Sequence, residues 1–172
     1  MDVPGRTKTP IAVGEMDSLR AFLDFHRATL LWKLEGLSKE EATRPHVPSG
    51  TNLLGLVKHL TYVERYWFGI FFAGLDLPLP RFDEDPDAEW RVGPDETVEQ
   101  VVAAYRAETE RSRELVADAS PDDRGRGKVV RRDGPASNFS LRWIMLHMIE
   151  ETARHNGHAD FLRELTDGTT GE

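Results

Sequence analysis

The segment "HMIEETARHNGH", residues 147–158, places three histidines and two glutamates in one short run. On a helix His147, Glu151 and His155 recur every four residues and stand along one stripe, with His158 close by. A carboxylate and an imidazole at i and i+4 can hold one divalent ion from a single helical face, as paired ligands do in other helical bundles. Two ligands rarely make a site, so a third is expected from a facing helix. His59 is the candidate, because it lies in "GLVKHLTYV" among apolar residues, where an unpaired imidazole is costly to bury. His26, on the apolar side of its segment, and His46, in a proline-flanked loop, fit less well. The competing reading is structural, with His59 a hydrogen-bonded core residue and the Glu/His stripe an exposed polar face.

Four long segments have the periodicity needed to position these groups. The first runs from an Asp17 cap through "SLRAFLDFHRATLLWKLEGL", with Leu19, Phe22, Leu23, His26, Leu30 and Leu34 on one face. Ser38 opens a single capped turn in "SKEE", which Pro45 and Pro48 bring to a stop. The second helix starts near Thr51 or Asn52, is apolar almost all round, and reaches Gly74; its inward set is Leu53, Leu56, Val57, Leu60, Val63, Tyr66, Trp67 and Ile70. Residues 75–94 read as an acidic, proline-rich connection. The third helix starts at an Asp95 cap and turns Val98, Val101, Val102, Tyr105, Thr109, Ser112 and Leu115 inward, with the other face charged. Residues 119–138 form a second long connection, in which "KVVRR" could pair as a short hairpin. Asn138 then caps the last helix, whose Leu141, Ile144, Met145, Met148, Thr152, Ala159 and Leu162 point to the core and which ends near Gly168.

Four helices, two long connections and no strand-rich segment predict an all-α four-helix bundle. Residues 1–16 are expected to be an extended N-terminal segment, 17–168 a single domain, and 169–172 a tail. The length of 172 residues suits one domain, and 39% apolar with 30% charged residues is ordinary for a water-exposed globular fold. A net charge of −8 argues against nucleic acid as a partner. The longest apolar cluster is about half a membrane span and the N-terminus lacks an apolar signal core, so no membrane partner and a cytoplasmic location are expected. The chain has no cysteine, so any thiol chemistry must use a thiol brought from outside.

The stretches "SGTNLLGLVKHLTYVERYWF" and "SLRWIMLHMIEETARHNGHADFLREL" resemble the two signature helices of the DinB-like (YfiT-like) superfamily of metal-binding bundles, and the likeness runs from about residue 17 to 168. Within it the chain is similar to an actinobacterial branch once labelled only as a domain of unknown function. The resemblance implies an up-up-down-down bundle with a metal held inside one end. The family's usual ligands are a histidine from helix two and an H-x-x-x-H pair from helix four, which fall here on His59, Glu151 and His155. Glutamate at the first position of the pair is a departure shared with the superfamily's mycothiol-dependent maleylpyruvate isomerase branch. The resemblance implies one divalent ion, with zinc expected and nickel, iron or manganese as alternatives, the carboxylate favouring harder ions than imidazole does. His147 and His158 are expected to lie behind the ligands, and Glu150 to be solvated or paired with Arg154.

The resemblance implies a metal-dependent enzyme that activates mycothiol, or a similar low-molecular-weight thiol, for transfer to an electrophilic small molecule or for thiol-dependent isomerisation. The alternatives are a metal-dependent hydrolase, with His158 or Glu150 as candidate base, and a non-enzymatic, stress-associated bundle whose metal only staples helices. Arg124, Arg126, Lys128, Arg131 and Arg132 could meet an anionic ligand or form a solvated loop. The aromatic cluster Tyr66, Trp67, Phe68, Phe71 and Phe72 predicts either a homodimer or cover from the acidic connection. Trp32 and Trp143 are expected in the core, and Trp90 at the mouth of a pocket.

Overall fold

In the computed structural model, which describes residues 6–80, 84–127 and 138–170, each helix begins where a side chain can accept an otherwise orphaned backbone N–H. The exception is α1 (Glu15–Trp32), whose N-cap is Gly14, three residues before the expected Asp17, which instead joins Glu15 in the first turn. Acidic groups there suit the positive end of the helix dipole. Helix α2 (Lys39–Ala42) has the expected reciprocal box between Ser38 and Glu41, and α3 (Leu53–Glu64) is capped by the Asn52 side chain. Helix α4 (Val98–Leu115) is capped by Thr97 in a box with Gln100, not by Asp95, and α5 (Leu141–Asp167) by Ser140, not by Asn138. In both cases the true cap lies two residues beyond the expected one. Asn138 is engaged elsewhere, donating weakly to the Gly125 carbonyl. Gly168, at φ 79°, ends α5 in the left-handed conformation that glycine adopts without strain.

Helix α3 continues without a break into a π-helical stretch, Arg65–Phe72, before Gly74 ends it at φ 72°. The wider turn, with bonds such as Ala73 N–H to Phe68 C=O, takes more residues per revolution. The α-helical phase that would carry Tyr66, Trp67 and Ile70 inward is therefore displaced. Phe68, Phe71 and Phe72 are buried instead, and the expected three are half-buried.

Paired residues fix the helix directions. Glu15 meets Arg142 and His26 meets Asn156, so α1 and α5 run parallel. Arg20 reaches Val116 and Asp24 meets Arg113, so α4 runs against α1. Lys58 meets Glu96 and Arg65 meets Glu108, so α3 and α4 run parallel. The all-helical bundle is as expected, but its order is up-down-down-up and not up-up-down-down. Consecutive parallel helices α3 and α4 must be joined by a connection that travels back along the bundle, which is the role of residues 73–97.

Two apolar clusters fill the interior. One, with Leu53, Leu54, Leu56, Val57, Leu60, Val101, Tyr105, Ala159 and Leu162, lies at the end carrying the N-terminus of α3. The other gathers Leu19, Leu23, Phe68, Phe71, Phe72, Ile144, Met145 and Met148. All seven residues expected to face inward from the last helix are buried. Phe22 is exposed, and so is Trp143, which lies on the surface of α5 stacked against Phe139. Trp32 is half-buried.

The aromatic cluster that motivated a homodimer is covered from within the chain. Gly125 and Gly127 lie so close to Phe71 that a Cβ at Gly125 would stand 2.8 Å from its ring. The Arg126 and Gly127 N–H groups donate to Phe72 and Phe71 carbonyls. The second connection, rather than the acidic one alone, thus provides the cover. Arg124 and Arg126 are exposed; Lys128, Arg131, Arg132 and the "KVVRR" hairpin lie outside the described residues. No described helix is long and apolar enough to cross a membrane.

Candidate metal centre

Histidine 59 sits on the second turn of α3 and points into the bundle because Leu56 and Leu60 flank it in a helix buried nearly all round. Glu151 and His155 lie one turn apart on α5, antiparallel to α3, so the two helices bring their groups face to face. Ligand atoms from His59, Glu151 and His155 all lie within 4.8 Å of one another. Glu151 Oε1 is 3.2 Å from His155 Nε2 and 3.6 Å from His59 Nε2. The convergence expected from spacing is present.

His59 is 7% exposed, yet neither of its ring nitrogens has a hydrogen-bond partner of good geometry. Glu89 Oε1 stands 3.1 Å from Nδ1, close but off the N–H direction. The Trp90 indole stacks flat on the ring, 3.7 Å between centroids at 11°, and meets His155 edge-on at 5.6 Å. Burial pulls the His59 pKa down, but the Glu151 and Glu89 carboxylates outweigh it and the pKa stands raised. His155 and then His59 hold the Glu151 carboxyl far below the usual carboxylate range, against the opposing effect of burial. Two imidazoles around an ionised carboxylate form a donor set suited to a divalent ion, and an orphaned buried nitrogen is the kind of group an ion would satisfy.

The centre opens onto a cleft of about 680 Å³ lined by Asn52, Gly55, Trp90, Arg91, His155 and His158, among others. Trp90 is thus at the pocket, as expected. His158 Nδ1 is 3.3 Å from His155 Nδ1, behind the nitrogen that faces Glu151. Burial, then His155 and Arg154, lower the His158 pKa and favour its neutral form. His147 is not brought to the centre: it stacks on Trp143, meets Trp67 edge-on and lies 3.7 Å from Glu150. Glu150 is exposed and paired with Arg154 at 3.1 Å. His26 faces Asn156, and His46 bonds Thr166.

The family model described as mycothiol-S-transferase matches residues 18–168. The chain belongs to that family. The family lies within the DinB-like superfamily that the two signature helices resemble, and it connects the fold to thiol transfer. No curated protein sequence matches the chain.

The sequence reading passed over Glu89, which sits in a stretch so rich in acids that none stands out. It also passed over the buried pair Arg27–Glu64, joined by two hydrogen bonds of 2.8 and 2.6 Å. Their signal was legible: Arg27 follows Leu23 by four residues and Glu64 follows Leu60 by four, so each extends an apolar stripe with a charge.

Proposed function

We propose that this member of the family is a divalent-metal-dependent S-transferase in which His59, Glu151 and His155 hold the ion. Mycothiol, or a closely similar small thiol, is the nucleophile and a small electrophile receives the sulfur. The observation that carries the reading is the convergence of those three side chains beside an open cleft, with His59 Nε2 buried and without a hydrogen bond. Zinc suits two imidazoles and one carboxylate best; nickel, iron and manganese accept the same donors. Among the described residues the group contains three ligands, whereas a purely structural zinc site is closed by four.

When bound, the ion supplies Lewis acidity that lowers the pKa of a thiol brought to it. The chain's own groups then have defined tasks. Trp90 walls one side of the centre and limits water. His158, neutral and on the cleft wall, accepts the thiol proton, whereas Glu150 is tied up with Arg154 outside it. The thiolate forms a C–S bond to the electrophile, and the displaced group leaves with its electron pair. The chain has no cysteine to compete as nucleophile.

The test is elemental analysis of untagged protein, followed by thioether formation from mycothiol and an alkylating probe with and without chelator. Stoichiometric metal and a rate that falls with chelation, or in His59→Ala and His155→Ala, support the reading. Ester or amide hydrolysis without thioether formation favours the hydrolase. Unchanged thiol transfer in the stripped protein overturns the metal-dependent mechanism.

A further inference from the structure

We infer that Glu89 is a positioning residue for the metal centre: it holds the His59 proton on Nδ1 and thereby leaves Nε2 free toward Glu151 and His155. The inference rests on the metal-ligand reading above and names the group that orients one of its ligands. Among the described residues, Glu89 is the carboxylate that faces Nδ1, at 3.1 Å, while Glu151 lies 3.6 Å from Nε2 on the other side of the ring. A buried imidazole has two nitrogens to satisfy, and which one ligates is set by what the other donates to. Glu89 Oε1 already stands at hydrogen-bonding distance from Nδ1, so only the direction of the N–H separates the two from a bond. Histidines that bind metals characteristically pass their second N–H to a carboxylate or carbonyl, which fixes the tautomer and raises the basicity of the ligating nitrogen.

The connection between α3 and α4 is built to hold Glu89 there. Gly55, one turn before His59, lets the backbone approach so closely that a Cβ would stand 2.6 Å from the Trp90 carbonyl. Lys58, next to His59, donates to the Arg91 carbonyl at 2.8 Å and pairs with Glu96 at 2.6 Å. From further along the bundle, Lys39 donates to the Gly93 carbonyl at 3.1 Å. Glu89 and Trp90 therefore grip one ring together, the carboxylate at its edge and the indole on its face.

The experiment compares wild type with Glu89→Ala, Glu89→Gln and Asp85→Ala. Asp85 anchors the same connection through Arg91 at 3.1 Å without touching His59. In metal-free protein at mildly alkaline pH, ¹⁵N chemical shifts of the His59 ring are expected to report a proton on Nδ1. That preference is lost in Glu89→Ala, partly kept in Glu89→Gln, whose amide oxygen still accepts, and kept in Asp85→Ala. Zinc affinity is expected to fall by roughly 10- to 100-fold in Glu89→Ala, less in Glu89→Gln, and to stay level in Asp85→Ala. An unchanged tautomer in Glu89→Ala, or an equal loss in Asp85→Ala, overturns the assignment. A tautomer that follows Glu89 in a protein that binds no zinc supports the positioning and overturns the metal reading instead.

Discussion

In the proposed metal centre, zinc loading and pH act on His59 through two effects of opposite sign. In the metal-free chain the folded pKa of His59 is raised, because two carboxylates outweigh the effect of burial. A raised folded pKa means that the charged imidazole contributes stability that is complete below its unfolded pKa, about 6.5, and is lost as pH rises through the folded value. Glu151 is the reverse case: its folded pKa is depressed, so its contribution is present above the unfolded carboxylate pKa and is lost as pH falls through the folded one. The metal-free protein is therefore expected to be most stable between the carboxylate and imidazole ranges and to weaken toward alkaline pH. Zinc reverses the alkaline limb, since only neutral imidazole can ligate.

The size of the effect follows from linkage. Zinc at a thousandfold above its Kd stabilises by about 4.1 kcal/mol. With an unfolding entropy of about 0.36 kcal/mol/K for 172 residues, that raises Tm by about 11 °C. Each pH unit below the His59 folded pKa weakens zinc by about tenfold, which removes about 4 °C of the rise. Calorimetric Tm values for stripped and zinc-loaded protein across the neutral range provide the measurement. A zinc-induced rise that is the same at acidic and alkaline pH refutes imidazole ligation, and no rise at any pH refutes the site.

Glu64→Leu leaves the buried Arg27 guanidinium, among the described residues, with the half-exposed Asp24 at 2.9 Å as its carboxylate partner, so a loss of about 3–5 kcal/mol in denaturant unfolding is expected. The double variant Arg27→Met/Glu64→Leu should regain most of it; a double variant as unstable as the single would show that packing, not the stranded charge, sets the cost. Gly55→Ala gains helix propensity but drives a Cβ into the Trp90 carbonyl, and overpacking of this kind costs about 1–3 kcal/mol. Its distinguishing mark is weaker zinc binding in a protein that still folds, read by titration; wild-type affinity would mean that the connection does not need that close approach. Asn52→Ala removes the oxygen that accepts the Gly55 N–H at 2.9 Å and should cost about 1 kcal/mol by thermal unfolding.

The parts of the fold legible in the sequence were those set by local chemistry. The core face of α5 followed from its apolar spacing, and the Ser38–Glu41 turn from its capping box. Glu151 and His155 were legible from their spacing of four on one helix, and His59 because a polar group in an apolar surround needs a partner. Cap positions slipped by two residues in α4 and α5, since Asp95-x-Thr97 and Asn138-x-Ser140 each offer two competent caps. The π-helical stretch was illegible for a different reason: its residues would satisfy an α-helical period equally well, and contact with Gly125 and Gly127, more than fifty positions away, accompanies the displaced phase.

Helix order connects these observations to the centre. In an up-up-down-down bundle the long return would join the first two long helices, and residues 73–97 would need only to turn a corner. With α3 and α4 parallel, the connection must return along α3, and its described residues meet Arg65 at Pro78 and Lys58 at Arg91 and Glu96. That path lays Glu89 and Trp90 over His59. The orienting carboxylate is thus delivered by the crossover itself, and its reach depends on Gly55 keeping the surface of α3 low enough for the strand of chain to lie down. A change in crossover length between Pro78 and Arg91 should therefore alter metal affinity while leaving the three ligands in place.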